Sequence, residues 1–136
     1  MVRNIVRDQF LLARKAQDAQ RSDTVTGQDL TDTLRANRDR CVGMAANMIG
    51  INRRVIAVAV GEAVLLMYNP AIVSRSGPYE AQEGCLSLDG VRTAQRFQRI
   101  TVDYQDRDWK RRRETFTGWT AQIIQHEIDH TNGILI

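Results

Sequence analysis

His126 and His130 are the only histidines in the chain, and they stand four residues apart in the run Gln125-His126-Glu127-Ile128-Asp129-His130. On a helix this H-E-x-x-H spacing puts both imidazoles on one face, about one turn apart, where they can reach a single metal ion. Glu127, one position on, projects beside such an ion and can move protons without binding it. The motif constrains the fold as much as the chemistry. A site suited to catalysis takes about three protein ligands and leaves one position open, so the helix must turn this face towards a further donor. Only Thr131-Asn132-Gly133-Ile134-Leu135-Ile136 follow, with no His, Cys, Asp or Glu among them. The third ligand therefore comes from upstream, where Cys41, Cys85 and assorted carboxylates are available. A thiolate is a strong ligand for zinc or ferrous iron, and metal binding favours its deprotonation.

The 136 residues, 43% hydrophobic and 26% charged, fit one soluble globular domain spanning 1–136 with enough length to bury a core. The net charge is +3, and part of the basic excess lies in the cluster Lys110-Arg111-Arg112-Arg113. Such a cluster reads as a solvated hairpin before it reads as a nucleic-acid surface. The opening run Met1 to Asp8 is broken by charges and lacks the apolar core of a signal peptide. No stretch approaches the ~20 apolar residues that cross a bilayer. A cytoplasmic protein is expected, with no membrane and no specific nucleic acid as partner. In that compartment the cysteines are ligands, reactive thiols or core fillers rather than a disulfide.

The pattern along the chain predicts an α+β fold: N-terminal helices, then a mainly antiparallel sheet packed against the metal-binding helix. Residues 4–19 place Val6, Phe10 and Ala13 at helical spacing, and 27–40 form a better helix with Thr26 as its cap and Leu30 and Leu34 on one face. Arg54 to Val60 and Ala63 to Tyr68 are apolar strands around the turn Gly61-Glu62. Ala71 to Ser74 is a shorter strand. Ile100 to Tyr104 and Arg112 to Thr117 form a second hairpin around Asp106 to Trp109. Gly118 breaks that strand and Trp119 to Thr131 runs as a helix, with Trp119 and Ile123 on the histidine face pointing into the protein.

Three segments carry further meaning. Cys41-Val42-Gly43-Met44-Ala45-Ala46-Asn47-Met48-Ile49-Gly50 has small residues that permit close backbone approach. Glu83-Gly84-Cys85-Leu86-Ser87 puts a cysteine after a glycine, and Gln125 to His130 completes the set. In this order they resemble the peptide deformylases, whose pattern is G-x-G-x-A-A-x-Q, then E-G-C-L-S, then Q-H-E-x-D-H. The second and third match at every defined position, Arg92 matches an arginine that follows the cysteine segment, and the resemblance covers roughly residues 27–136.

The resemblance implies hydrolytic removal of the N-formyl group from the initiator methionine of new polypeptides. It implies Cys85, His126 and His130 as ligands of one divalent ion, Fe²⁺ favoured and Zn²⁺ the alternative. Glu127 is then the proton shuttle and the backbone N–H of Leu86 an oxyanion donor. Gly43 and Met48 belong to the cleft, and Gln125, Asp129 and Arg92 to the residues around the ligands. The partner is an N-formylmethionyl peptide, with transient proximity to the ribosome. The first segment departs from the pattern. Cys41 stands where glycine is usual, and Met48 replaces a glutamine whose amide donates to the reacting carbonyl; a thioether has no proton to give. Losing one such donor costs about 10²–10³ in turnover. Asn47 carries an amide, but a shift of one residue points it the other way. The family also commonly continues with a further C-terminal segment beyond the six residues after His130, so contacts made there are expected to be missing. The competing readings are a deformylase-like protein silent on formylmethionine, which binds peptides or acts on another acyl amide; a closed Cys41-Cys85-His126-His130 zinc site; and a peptidase on the same helix.

Overall fold

The computed structural model describes residues 1–136. Five strands, β1 (Gly43–Ala45), β2 (Val55–Val60), β3 (Ala63–Cys85), β4 (Leu88–Gln105) and β5 (Arg111–Thr117), form one antiparallel sheet whose spatial order follows chain order. The helices are α1 (Gln9–Leu12), α2 (Thr24–Ala36) and α3 (Gly118–Thr131). This is the α+β arrangement expected, with α3 against the sheet.

The apolar runs of β2 and early β3 are continuous because both faces of the sheet are covered. Val55, Ala57, Leu66 and Tyr68 look to one side, into a cluster with Leu30 and Leu34 of α2. Ile56, Val58 and Met67 look to the other, onto Ala121, Ile124 and Ile128 of α3. The period of two thus sends alternate residues to two different helices. Gly118 takes a positive φ of 60°, turning the chain from β5 directly into α3.

Three expectations change. The helix over 4–19 shrinks to the four residues Gln9–Leu12, with Phe10 83% exposed and Leu12 buried instead. The rest of that segment is not helical because its backbone bonds go elsewhere: Val6 N–H donates to Met48 O and Ala16 N–H to Thr131 O, both at 2.8 Å. Helix α2 starts earlier, at Thr24, and Thr26 lies buried inside it rather than capping it. Finally, Ala71 to Ser74 and Ile100 to Tyr104 are parts of one long β3–β4 ribbon, paired from Tyr68–Gln105 to Cys85–Leu88. Most side chains between 75 and 99 are exposed, so the ribbon's outer part has no hydrophobic alternation to announce it. The basic cluster after Trp109 is a surface hairpin in which Arg112 pairs with Asp106 and Arg113 with Asp103.

Candidate metal centre and its cleft

Helix α3 and the tip of the β3–β4 ribbon meet at one point. His126, Glu127 and His130 are buried on α3, 7%, 4% and 0% exposed. Their burial follows from Ala121, Ile124 and Ile128, which seat the helix on the sheet. Cys85 ends β3, just after a register shift between Gly84 and Cys85. The thiol of Cys85 and one nitrogen from each of His126 and His130 lie within 4.8 Å of one another. The two Nε2 atoms face each other at 3.0 Å. The N–H of Ser87 donates to Cys85 Sγ at 3.4 Å.

Behind the ligands runs a buried charge network. His126 Nδ1 donates to Glu83 Oε1 at 2.8 Å. Glu83 precedes Cys85 by two residues, and both line the cavity beside His126. Arg96 on β4 grips Glu83 through Nη2 at 2.6 Å and Nε at 2.9 Å, and reaches Asp129 Oδ2 through Nη1 at 2.6 Å. Gln122 Nε2 adds a bond to Glu83 at 2.9 Å. Burial would raise the Glu83 carboxyl, but the bonds from His126, Arg96 and Gln122 hold it down at about 2. For His126 burial opposes the charged form, yet the contacts with Cys85 and Glu83 prevail and push it up to about 10 in the metal-free protein. His130 goes down to about 3, through burial and the neighbouring charge of His126. Burial lifts the Glu127 carboxyl to about 7, the range in which a carboxyl can both take and return a proton at neutral pH.

The donor set fits a metal. Two facing imidazole nitrogens and a thiol suit zinc or ferrous iron. A carboxylate on the far nitrogen of a ligating histidine is the usual supporting partner. Glu127 Oε1 is buried without any protein partner. Cys41 stands outside the group: its thiol donates to Gly43 O at 3.0 Å, and burial together with the Glu127 charge pushes it up to about 12. A closed four-ligand site is therefore not formed.

A cavity of about 580 Å³ opens over this centre, lined among others by Cys41, Gly43, Cys85, Leu86, Trp119, Ile123, His126 and Glu127. Gly43 permits the approach of β1 to α3: a Cβ there would lie 2.6 Å from Ile123 Cγ2.

Residues 2–136 match the family model described as polypeptide deformylase. The chain belongs to the peptide deformylase family. It is 47% identical over 136 residues to a peptide deformylase of Clostridium beijerinckii, covering 100% of both chains. It is 40% identical over 109 residues to one from Thermoanaerobacter pseudethanolicus, covering 79% of this chain and 67% of that one. Among solved structures it is similar to a peptide deformylase from Legionella pneumophila (TM-score 0.88, 34% identity, 99% of this chain and 83% of that chain). It is also similar to a Met-Ala-Ser-bound deformylase from Acinetobacter baumannii (TM-score 0.89, 26% identity, 99% and 97% covered).

Within this deformylase chain the other expected site residues divide. Gly43 and Leu86 line the cleft, and Asp129 joins the charge network through Arg96. Met48 does not line the cavity: it is 1% exposed in the core shared with α2, and its sulfur accepts from Ala45 N–H at 3.4 Å. Asn47 does not line the cleft either: the segment is a 3₁₀ turn rather than extended, and the Asn47 amide bonds to His130 O. Gln125 touches no ligand; its amide bridges the Phe97 N–H and O of β4 at 2.8 and 2.9 Å. Arg92 is half-buried on the ribbon, and its side chain bonds only to Asp89 O. Trp119 is 61% exposed on the cleft rim rather than buried. Glu83, Gln122 and Arg96 were missed. The spacing of Glu83 from Cys85 could have revealed the first; nothing local distinguishes the other two.

Proposed function

We propose that this deformylase removes the formyl group from the N-terminal formylmethionine of new polypeptides, using one divalent ion on Cys85, His126 and His130. The convergence of those three donors beside Glu127, under an open cleft, carries the reading. When bound, the metal supplies a Lewis acid and makes water acidic enough to be a nucleophile near neutral pH. The remaining work falls to the chain. Glu127 takes the proton of the attacking water and returns it to the departing amine, so that water and the formamide give formate and a free amino terminus. The backbone N–H of Leu86, beside Cys85 on the cavity wall, donates to the oxygen that gains charge. Glu83 holds the His126 ring in the orientation that presents Nε2. Met48 contributes no donor. Gly43 keeps the opposite wall clear, and a cleft of about 580 Å³ lies within the usual size of small-ligand sites.

Ferrous iron is the favoured ion, with zinc suited to the same donors. From the substrate class alone we read the reaction as one that takes place near the ribosome in the cytoplasm. Separately, no helix is long and apolar enough to cross a membrane. The test is formate release from a formyl-Met peptide by protein loaded anaerobically with Fe²⁺, with Glu127→Ala as control. Release that vanishes in the control supports the assignment. A folded, metal-loaded protein that releases none overturns it.

A further inference from the structure

Four buried side-chain atoms have no hydrogen-bond partner: Asn47 Oδ1, Ser87 Oγ, Glu127 Oε1 and His130 Nδ1. Glu127 lines the cleft and is used in the reaction above. Two of the other three belong to residues already in contact. Asn47 donates from Nδ2 to the main-chain oxygen of His130 at 2.8 Å, across 83 positions of sequence. Asn47 is 5% exposed and His130 fully buried. One holds an idle acceptor, and the other a nitrogen that carries a proton whenever Nε2 is free to bind a metal. Buried polar atoms left unpaired are rare, and here an idle acceptor and an idle donor belong to two residues already bonded to each other.

His126 provides the comparison. Its Nδ1 is held by Glu83, and ligating histidines almost always have such a partner. His130 has no carboxylate in this role. The local backbone explains why Asn47 is available: it lies in the 3₁₀ turn Ala46–Ile49 that follows β1. In that turn Met48 packs into the core and Asn47 is aimed at the last turn of α3.

We infer that Asn47 is the positioning residue of His130, fixing its carbonyl through Nδ2 and accepting its Nδ1–H through Oδ1, directly or by one water, so that Nε2 is presented to the metal. The inference rests on His130 being a metal ligand. It assigns Asn47 no contact with substrate.

The chain's two histidines make the test simple, because ¹⁵N imidazole NMR of the Zn²⁺-loaded protein resolves both rings. Wild type is expected to show both as Nδ1–H tautomers, with the His130 proton slow to exchange. Asn47→Ala should speed that exchange at His130 alone and raise the Zn²⁺ dissociation constant, read by chelator competition, about 10–100-fold. Asn47→Asp keeps an acceptor and should bring the affinity back towards wild type while shifting the His130 Nδ1 signal; should the alanine variant fail to fold, this signal decides. An unchanged His130 ring in either variant, or unchanged Zn²⁺ affinity in Asn47→Ala, overturns the inference. If neither wild-type ring responds to Zn²⁺, the metal reading itself falls, and the inference with it.

Discussion

Gly43 of β1 and Glu127 of α3 stand so close that a methyl group on the glycine would lie 2.8 Å from the carboxylate Oε2. The missing side chain is what lets the strand close over the helix and leaves Glu127, the proposed proton shuttle, its place in the cleft. Gly43→Ala should therefore displace Glu127 and lower kcat about 10²-fold. Metal content, measured by atomic absorption, should stay at the wild-type level. A variant with normal turnover would show that Glu127 does not depend on this gap.

Arg96 bridges Glu83 and Asp129 while itself only 3% exposed. Arg96→Met leaves the buried Glu83 carboxylate, and the half-buried Asp129, without their cation, and breaking such a buried pair typically costs about 3–5 kcal/mol. Denaturant unfolding should show a loss of this size. Because Glu83 orients His126, the variant should also release Zn²⁺ to a chelator faster than wild type.

Met48 poses the opposite question, since the amide usual in the family would here enter an apolar core. Met48→Gln is expected to lower stability by about 1–3 kcal/mol without raising formate release. An equally stable variant that turns over ten or more times faster would mean that the new amide reaches the reacting carbonyl.

Acid should weaken the metal-free protein through Glu83. Its folded value of about 2 lies below the ordinary 4.5. A depressed carboxyl contributes its full stability above the unfolded value and loses it as pH falls through the folded one. Above about pH 6.5 the stability difference between wild type and Glu83→Gln should fall as pH rises, because Glu83 also helps to hold His126 charged; between about pH 4.5 and 6 it should be level, and it should shrink towards pH 2 by at most about 3 kcal/mol. A difference independent of pH across that window would show that Glu83 is not held ionised by its partners.

What the sequence disclosed follows the strength of local signals. Helix α3 and the cluster of His126, Glu127 and His130 on it were legible because spacing on a helix is set by geometry alone. The strands β2 and early β3 were legible because two covered faces demand an unbroken apolar run. The outer ribbon was not, since its side chains meet solvent and its pairing is set by the partner strand. Phe10 misled the N-terminal reading: an apolar residue at helical spacing implies a face only if something packs on it, and the segment's backbone bonds go to Met48 and Thr131 instead. Arg96 was invisible among the many surface arginines, because only the folded ribbon brings it to Glu83.

The order of the sheet bears on how the centre comes into being. Each strand pairs with its neighbour in the chain, so the meander can zip up hairpin by hairpin with short loop closures, the kind of contact that forms early. The site is assembled differently. It joins β1, the tip of β3 and a helix that follows every strand, so its contacts span long separations, such as the 83 positions between Asn47 and His130. A newly made molecule can hold a complete sheet and still lack any means of catalysis until α3 docks, and the metal then binds a surface that only the finished protein possesses.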